Sequence, residues 1–373
     1  MAIVRGIRVN FIGVVAVIAL TAVGLVNLAS VDYYSGDSFH RAQLVWMLLG
    51  YVVAIIVFFV DIRVFYNLAY VGYGVLLALL IATRLFGLEV NNSTRWLVIG
   101  GMQLQPSEFM KMGLILALAR LVHQTKGNEP YTLKTLAKPF ALTAPPAALV
   151  LIQPDLGTSL IILFVAVSVL LVEGVRLRTV LFIGGVTLLV VPISWEYDLI
   201  HRYQKDRVTL WLNAENLDPS NPEEKRILDK NLQSEQALWA IGSGRMLGKG
   251  LRGGGKSRLR YLPEMHNDFV IATFAEEHGF AGCFALSALY FAVLIWALRV
   301  AKDAKERFGS LVAAGVAAMI FWQYFVNIGM VTGLLPVVGL TLPLLSYGGS
   351  SILTTFVGIG LLLNISVSKV KLA

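Results

Sequence analysis

A carboxylate at the entrance of a long apolar run is an expensive placement, and ionisable groups held at membrane depth mark function. Asp268 is such a group. It follows the basic, aromatic stretch RLRYLPEMHN and opens a long segment beginning FVIATFAEEHGFAG. One carboxylate suffices as a general base for a hydroxyl nucleophile. The plain alternative is a loop-end acid in the headgroup region, and two features count against it. Pro263 suits a first helical residue, which puts Asp268 in the second turn of the following helix. Lys249, Arg252, Lys256, Arg258 and Arg260 precede it, a cationic surround for an anionic, phosphate-bearing ligand.

The other acids read differently. Glu276 and Glu277 fall roughly 12 Å beyond Asp268 along a helix. That exceeds the ~5–9.5 Å of a glycoside-hydrolase pair, so both are expected to satisfy buried polar partners. Glu108 and Lys111, in QPSEFMKM, are three apart and share a helix face; as an ion pair in lipid they neutralise one another and suggest a cavity wall. Asp155, in QPDLGTS, reads as an outer-face turn residue or helix cap. Arg95, beside Trp96, reads as an interfacial anchor, with phosphate binding as the alternative. Gly250 to Ser257, GLRGGGKS, matches the pattern of a phosphate-binding loop, but such a loop needs a strand before it and a helix after it. Pro263 follows too soon, so nucleotide binding is rejected. The five histidines are scattered without metal-ligand spacing, and no zinc site is readable.

These residues are carried by a chain built for lipid. Of 373 residues, 57% are hydrophobic and only 14% charged, against roughly 25% charged in soluble domains. Mean hydropathy is +0.71. The single cysteine, Cys283, excludes a disulfide framework. Apolar runs of spanning length occur near 11–30, 43–60, 66–86, 106–123, 137–153, 157–174, 179–195, 268–298, 308–332 and 350–367. The fifth is interrupted by Pro145 and Pro146, and the eighth exceeds one membrane thickness, so it tilts or protrudes. The expected fold is an all-α integral membrane protein of ten transmembrane helices, one polytopic domain over 1–373. Placing both termini inside puts Arg63, then Arg120, Lys126, Lys134 and Lys138, then Arg176 and Arg178, then Arg299, Lys302, Lys305 and Arg307, then Lys369 and Lys371 on the cytoplasmic side. The short opposite breaks hold little beyond Arg41 and Arg95, the expected bias.

Two breaks are unusual. Residues 196–267 form a large extracytoplasmic loop, first rich in Asn, Asp and Pro, then glycine-rich and basic. Thr332 to Ser351, TGLLPVVGLTLPLLSYGGSS, is apolar yet broken by glycines and prolines. It reads as a re-entrant segment, which survives at membrane depth only against protein or a wet cavity. Ser346 lies within it and, with Asp155, Glu276 and Glu277, reads as structural or cavity-lining.

Several stretches together resemble one family. LPEMHNDFVIATFAEEHGFAG, QPSEFMK, QPDLGTSL, QALWAIGSGRMLGKG and LPLLSYGGSS stand in the order of the signatures of the SEDS proteins (shape, elongation, division and sporulation). The DPSN stretch and the AIGSG–GKG segment favour the rod-shape branch over the division branch. Asn267 stands where Thr is usual, and Val270-Ile271-Ala272 replaces Ile-Phe-Ala. The resemblance implies a peptidoglycan glycosyltransferase that polymerises lipid II on the outer face of the bacterial cytoplasmic membrane during elongation. It implies a class B penicillin-binding protein as partner, within the elongation machinery and among membrane lipids, with no nucleic acid. It places the family's essential aspartate at Asp268 and its polar membrane pair at Glu108 and Lys111.

The residues agree with that expectation on chemical grounds. A pyrophosphate leaving group needs charge neutralisation, which Lys and Arg supply, or a divalent cation (Mg2+ or Mn2+) held by Asp268. The competing reading is a lipid II flippase, since polar residues in spans and a re-entrant segment also suit a transporter. Against it, no inverted repeat is visible and the ionisable groups gather toward the outer side. A passive scaffold for the partner leaves the basic, glycine-rich loop unexplained.

Overall fold

The computed structural model describes residues 11–90, 93–99, 102–125, 130–197, 202–213, 217, 220–254 and 266–368. Among them the chain forms twelve helices and one small sheet. Helices α1 (Phe11–Ser35), α2 (Phe39–Phe59) and α3 (Ile62–Phe86) come first. A three-stranded antiparallel meander follows: β1 (Leu88–Val90), β2 (Ser93–Ile99) and β3 (Met102–Leu104), with Leu88 opposite Trp96 and Val98 opposite Gln103. Then come α4 (Pro106–Gln124), α5 (Ala137–Ile152), α6 (Leu156–Glu173), α7 (Leu177–Glu196), α8 (Arg202–Asn213), α9 (Pro222–Gly244), α10 (Val270–Asp303), α11 (Arg307–Val331) and α12 (Gly349–Val367).

Ten of these helices lie where the apolar runs predict them. Seven of the described helices (α1, α2, α3, α6, α10, α11 and α12) are long and apolar enough to cross a membrane. Two of the others fall short for visible reasons: α4 carries Glu108, Lys111 and Arg120, and α5 has only 16 residues. The long break after α7 is not a plain loop, because α8 and α9 occupy much of it. The meander between α3 and α4 also went unforeseen.

Helix α4 is the axis. Met110, Leu114, Ala117 and Leu118 enter one core with Tyr73, Leu80, Val150 and Ile162. Met112, Ile115, Ala119 and Val122 enter a second core with α1, α2, α10, α11 and α12. A helix buried all round belongs at the centre of a bundle, so the residues on its first turn are interior by construction.

Helix α5 runs unbroken through Pro145 and Pro146. A proline cannot donate to the carbonyl four residues back, so Pro146 leaves that of Leu142 without its helical partner. The Tyr73 hydroxyl donates to it at 2.7 Å. A neighbouring helix thus re-satisfies the freed group, the condition for proline inside a span.

Helix α10 is broken as well as long. Gly279 has φ 64 and ψ −165, so a short piece, 270–278, precedes a long one, 280–303. The sequence did not foretell this break. Residues 332–348, between α11 and α12, are non-helical, with Val338, Leu340, Leu342, Leu344 and Leu345 buried. This irregular, largely buried, apolar segment lies where the sequence predicts a re-entrant segment, the label it keeps below.

Replacing Tyr73 by Phe is expected to destabilise the detergent-solubilised protein by roughly 1–3 kcal/mol, the cost of a buried orphan carbonyl. Adding Pro146→Ala should return part of the loss by restoring a helical donor. A thermal unfolding midpoint unchanged by Tyr73→Phe would contradict this reading of α5.

Candidate active site

Asp268 does not lie in a second helical turn. It sits in a turn, His266 to Phe269, with Phe269 capping α10, while Pro263 lies outside the described residues. The carbonyls of this turn are spoken for by side chains and backbone from elsewhere. Tyr347 N donates to His266 O at 2.8 Å, Ser346 Oγ to Asn267 O at 2.7 Å, and Asn327 Nδ2 to Asp268 O at 3.1 Å. The same Asn327 amide donates to Leu340 O at 2.6 Å. One buried side chain therefore ties the aspartate's backbone to the re-entrant segment.

The carboxylate faces that segment too. A Cβ at Gly339 would lie 3.3 Å from Asp268 Oδ2, and Gly339 has φ 73. Glycine here meets both the backbone requirement and the need for space beside the acid. The His266 ring stacks on Phe39 at 4.0 Å with a 7° interplanar angle, and Tyr347 packs against both. Half-buried Asp268 thus stands on a fixed backbone between an aromatic cluster and a glycine.

Glu276 and Glu277, both buried, act as anchors. Glu276 Oε1 accepts from Lys249 Nζ at 2.6 Å and Ser243 Oγ at 3.2 Å. Glu277 Oε1 accepts from Ser30 Oγ, from the Tyr34 hydroxyl at 2.8 Å and from Arg252 N at 2.9 Å. The segment 244–254 also repairs the break at Gly279. Lys249 N and Gly250 N donate to the carbonyls of Glu276 and Glu277, while Phe280 N and Ala281 N donate to the carbonyls of Arg245 and Met246. Four backbone groups orphaned by the kink are paired reciprocally. Cβ atoms at Gly244 and Gly248 would lie 2.0 and 2.1 Å from the carbonyl oxygens of Ala275 and Glu277. These glycines serve close packing, not flexibility.

The same contacts dispose of the phosphate-loop pattern. Helix α9 precedes the motif, and its described amides are used by protein: Gly250 N by Glu277 O, Arg252 N by Glu277 Oε1, Gly254 N by Tyr34.

Glu108 and Lys111 pair at 2.8 Å near the start of α4, with side chains 7% and 0% exposed. Glu108 Oε2 has no hydrogen-bond partner among the described residues. Asp155 caps α6 by accepting from Thr158 N at 3.1 Å, and its other oxygen accepts from Gln105 Nε2 at 3.0 Å. Arg95 donates to the carbonyls of Gln153 and Pro154 and lies 4.0 Å from Asp155. It is an anchor for that turn. Ser346 is buried and accepts from Leu342 N at 2.8 Å.

Of the six basic residues suggested as phosphate ligands, Lys249 and Arg95 bind protein groups, and the Arg252 guanidinium lies 5.0 Å from the centre of the Tyr33 ring. Lys256, Arg258 and Arg260 lie outside the described residues. Neutral amides were missed altogether. Buried Gln43 donates to Ser346 O at 2.8 Å, and buried Asn27 to Val270 O at 3.2 Å. Their signal was an isolated amide in an apolar run. Beside the short piece of α10 lies a groove of about 380 Å³, lined mainly by apolar residues of α1 and α10, among them Val23, Val26, Phe274 and Leu289.

Comparison with known proteins brings the geometry into a wider set. The FtsW/RodA/SpoVE profile, described as "cell cycle protein", matches residues 3–371. The chain is 37% identical over 328 residues to peptidoglycan glycosyltransferase MrdB of Escherichia coli K12, covering 87% of this chain and 85% of that one. It is 34% identical to stage V sporulation protein E of Bacillus subtilis, covering 95% of each. Among solved structures, a chain described under structural coordination of polymerization and crosslinking by a peptidoglycan synthase complex superposes with a TM-score of 0.80 at 32% identity, over 96% of this chain and 98% of that one. Thermus thermophilus RodA superposes with a TM-score of 0.70 at 31% identity, over 96% and 97%.

Gly279→Ala places a Cβ 2.3 Å from Gly248 N on a backbone that disfavours L residues. It is expected to unseat segment 244–254 from α10 and to speed tryptic cleavage after Arg245 and Arg252 in the detergent-solubilised protein. Cleavage at the unaltered rate would show that the kink does not hold the segment.

Proposed function

The chain belongs to the FtsW/RodA/SpoVE family of cell cycle proteins, and on that premise we propose that it is a peptidoglycan glycosyltransferase whose reaction is carried by Asp268. The observation behind this is the placement of that carboxylate, backbone-fixed by Asn327 and Ser346 and fronted by Gly339. The substrate is lipid II. Asp268 takes the proton of the acceptor sugar's hydroxyl, the freed oxygen attacks the anomeric carbon of the donor sugar, and that carbon's bond to the polyprenyl diphosphate breaks with the electron pair leaving on the diphosphate. A fixed carboxylate contributes roughly 10²–10⁴-fold as a general base.

The diphosphate needs positive charge as it departs. With Lys249 and Arg95 engaged by protein groups, the remaining cations nearest in sequence are Lys256, Arg258 and Arg260. Among the described residues no three His, Cys, Asp or Glu side chains converge as a metal site. Mg2+ bound through phosphates needs only one or two protein carboxylates, and Asp268 fits that demand. Such an ion, when bound, would neutralise the leaving group. The apolar groove between α1 and α10 suits the polyprenyl tail, and its Phe274 and His278 belong to the piece 270–278 that follows the acid's turn.

The topology that serves this chemistry has ten spans, both termini in the cytoplasm and Asp268 on the outer face of the bacterial inner membrane. The Lys and Arg distribution supports it. A class B penicillin-binding protein as partner is supported by the synthase complex to which the fold is similar. An elongation role is supported by the similarity to MrdB and to RodA.

Purified Asp268→Asn protein is expected to elute as the parent does, because Asn327 and Ser346 hold backbone carbonyls in the turn. It should make at least about a hundredfold less glycan from lipid II in detergent. Normal yield from this variant would remove Asp268 from the mechanism, and an inactive parent given lipid II and its partner would favour a transporter.

A further inference from the structure

The site described so far accounts for an acid, a diphosphate and a tail, but not for the saccharide already polymerised. A second cavity of about 470 Å³ is lined in part by the acid's turn. Its floor includes Phe269, the residue after Asp268, buried at 2% exposure. One wall comes from α8 and α9, with Arg207, Trp211, Gln233 and Ser234; the other is the re-entrant segment at Gly333 and Pro336. The volume falls in the range of small-ligand sites, roughly 300–1,000 Å³.

The walls are fastened across the cavity. Trp211 Nε1 donates to Gly333 O at 2.9 Å, and Arg207 donates to Val337 O. With its N–H consumed, the indole is oriented in advance and offers its ring. An aromatic ring set beside an amide and a hydroxyl is a lining suited to a pyranose, whose C–H face packs on the ring while hydroxyls and acetamido groups meet the polar side chains. Gln233, Ser234 and Glu235 give this cavity a mixed lining beside apolar Leu238 and Met330, whereas the groove along α1 and α10 is almost wholly apolar. The apolar one takes Phe274 and His278 from the short piece of α10, and the mixed one takes Phe269 from the turn before it. Phe269 directly follows Asp268 in sequence.

The geometry points to this cavity as a saccharide subsite, which seats N-acetylated sugar units of the glycan strand beyond the reacting pair. The assignment rests on the polymerase reading above. It differs from the catalytic assignment because it concerns a ligand that carries no lipid and undergoes no reaction there.

Full-length Asp268→Asn protein, which turns nothing over, is titrated calorimetrically with a lipid-free tetrasaccharide of alternating N-acetylglucosamine and N-acetylmuramic acid. Saturable binding is expected. Trp211→Ala and, independently, Gln233→Ala in that background should weaken it about tenfold, while Trp211→Phe keeps most of it. Should Trp211→Ala fail to fold for want of its bond to Gly333, the Gln233→Ala result decides. Absence of saturable binding up to about 1 mM, or binding that neither alanine variant weakens, overturns the subsite. Glycan synthesis by the Asp268→Asn protein would instead overturn the base and leave the binding result standing, so the two failures are distinguishable.

Discussion

A non-helical backbone buried among helices must find a partner for each of its polar groups, and residues 332–348 impose that demand on the whole bundle. An unpaired buried donor or acceptor costs roughly 1–3 kcal/mol, and the segment carries many. The surrounding helices answer with side chains. Gln43 of α2 donates to Ser346 O, Asn327 of α11 to Leu340 O, Tyr290 of α10 to Pro343 O, and Arg207 and Trp211 of α8 to Val337 O and Gly333 O. Leu344 sits at φ 66, a backbone state that a branched residue holds only when its surroundings dictate it. The turn that carries Asp268 inherits this order, since the carbonyls of residues 266–268 are bound by Tyr347, Ser346 and Asn327. The acid is positioned by a segment that is itself positioned by four helices.

The break at Gly279 serves the same end from the other direction. A continuous α10 would fix the acid's turn to a helix more than thirty residues long. The break makes 270–278 a separate short piece, and the loop at 244–254 knits it to α9 through exchanged backbone hydrogen bonds. Glu276 and Glu277 complete the joint by taking Lys249 in one case and Ser30 and Tyr34 of α1 in the other. Charge that looked available to a ligand is thus spent on architecture. What remains is shape: an apolar groove along α1 and α10, and a cavity with a mixed lining that reaches Phe269.

Much of this was readable in the residues, and what was not has identifiable causes. Apolar run length located ten helices, because lipid demands it of any span. Glycine and proline within an apolar stretch marked the re-entrant segment, and spacing of three marked Glu108 and Lys111. The meander at 88–104 was overlooked although Asn-Asn and Gly-Gly separate its strands, since a search for spans passes over short strands. Helices α8 and α9 hid in a polar stretch with no apolar run to reveal them. The break at Gly279 hid for the opposite reason, with apolar residues continuing on both sides. Gln43, Asn27 and Asn327 escaped because attention fell on ionisable groups, whereas the backbone of a buried loop calls for neutral amides. Lys249 and Arg252 were read as ligand-facing because their acidic and aromatic partners lie far away in sequence.

The central claim is that sugar-bond formation takes place at the turn held against the re-entrant segment. The most direct measurement is a structure of the full-length Asp268→Asn protein with two lipid II molecules bound. The account predicts the acceptor hydroxyl within about 3 Å of the residue 268 side chain, with one polyprenyl tail in the α1–α10 groove. An acceptor hydroxyl found instead beside the Glu108–Lys111 pair, with residue 268 facing bulk water, would contradict it.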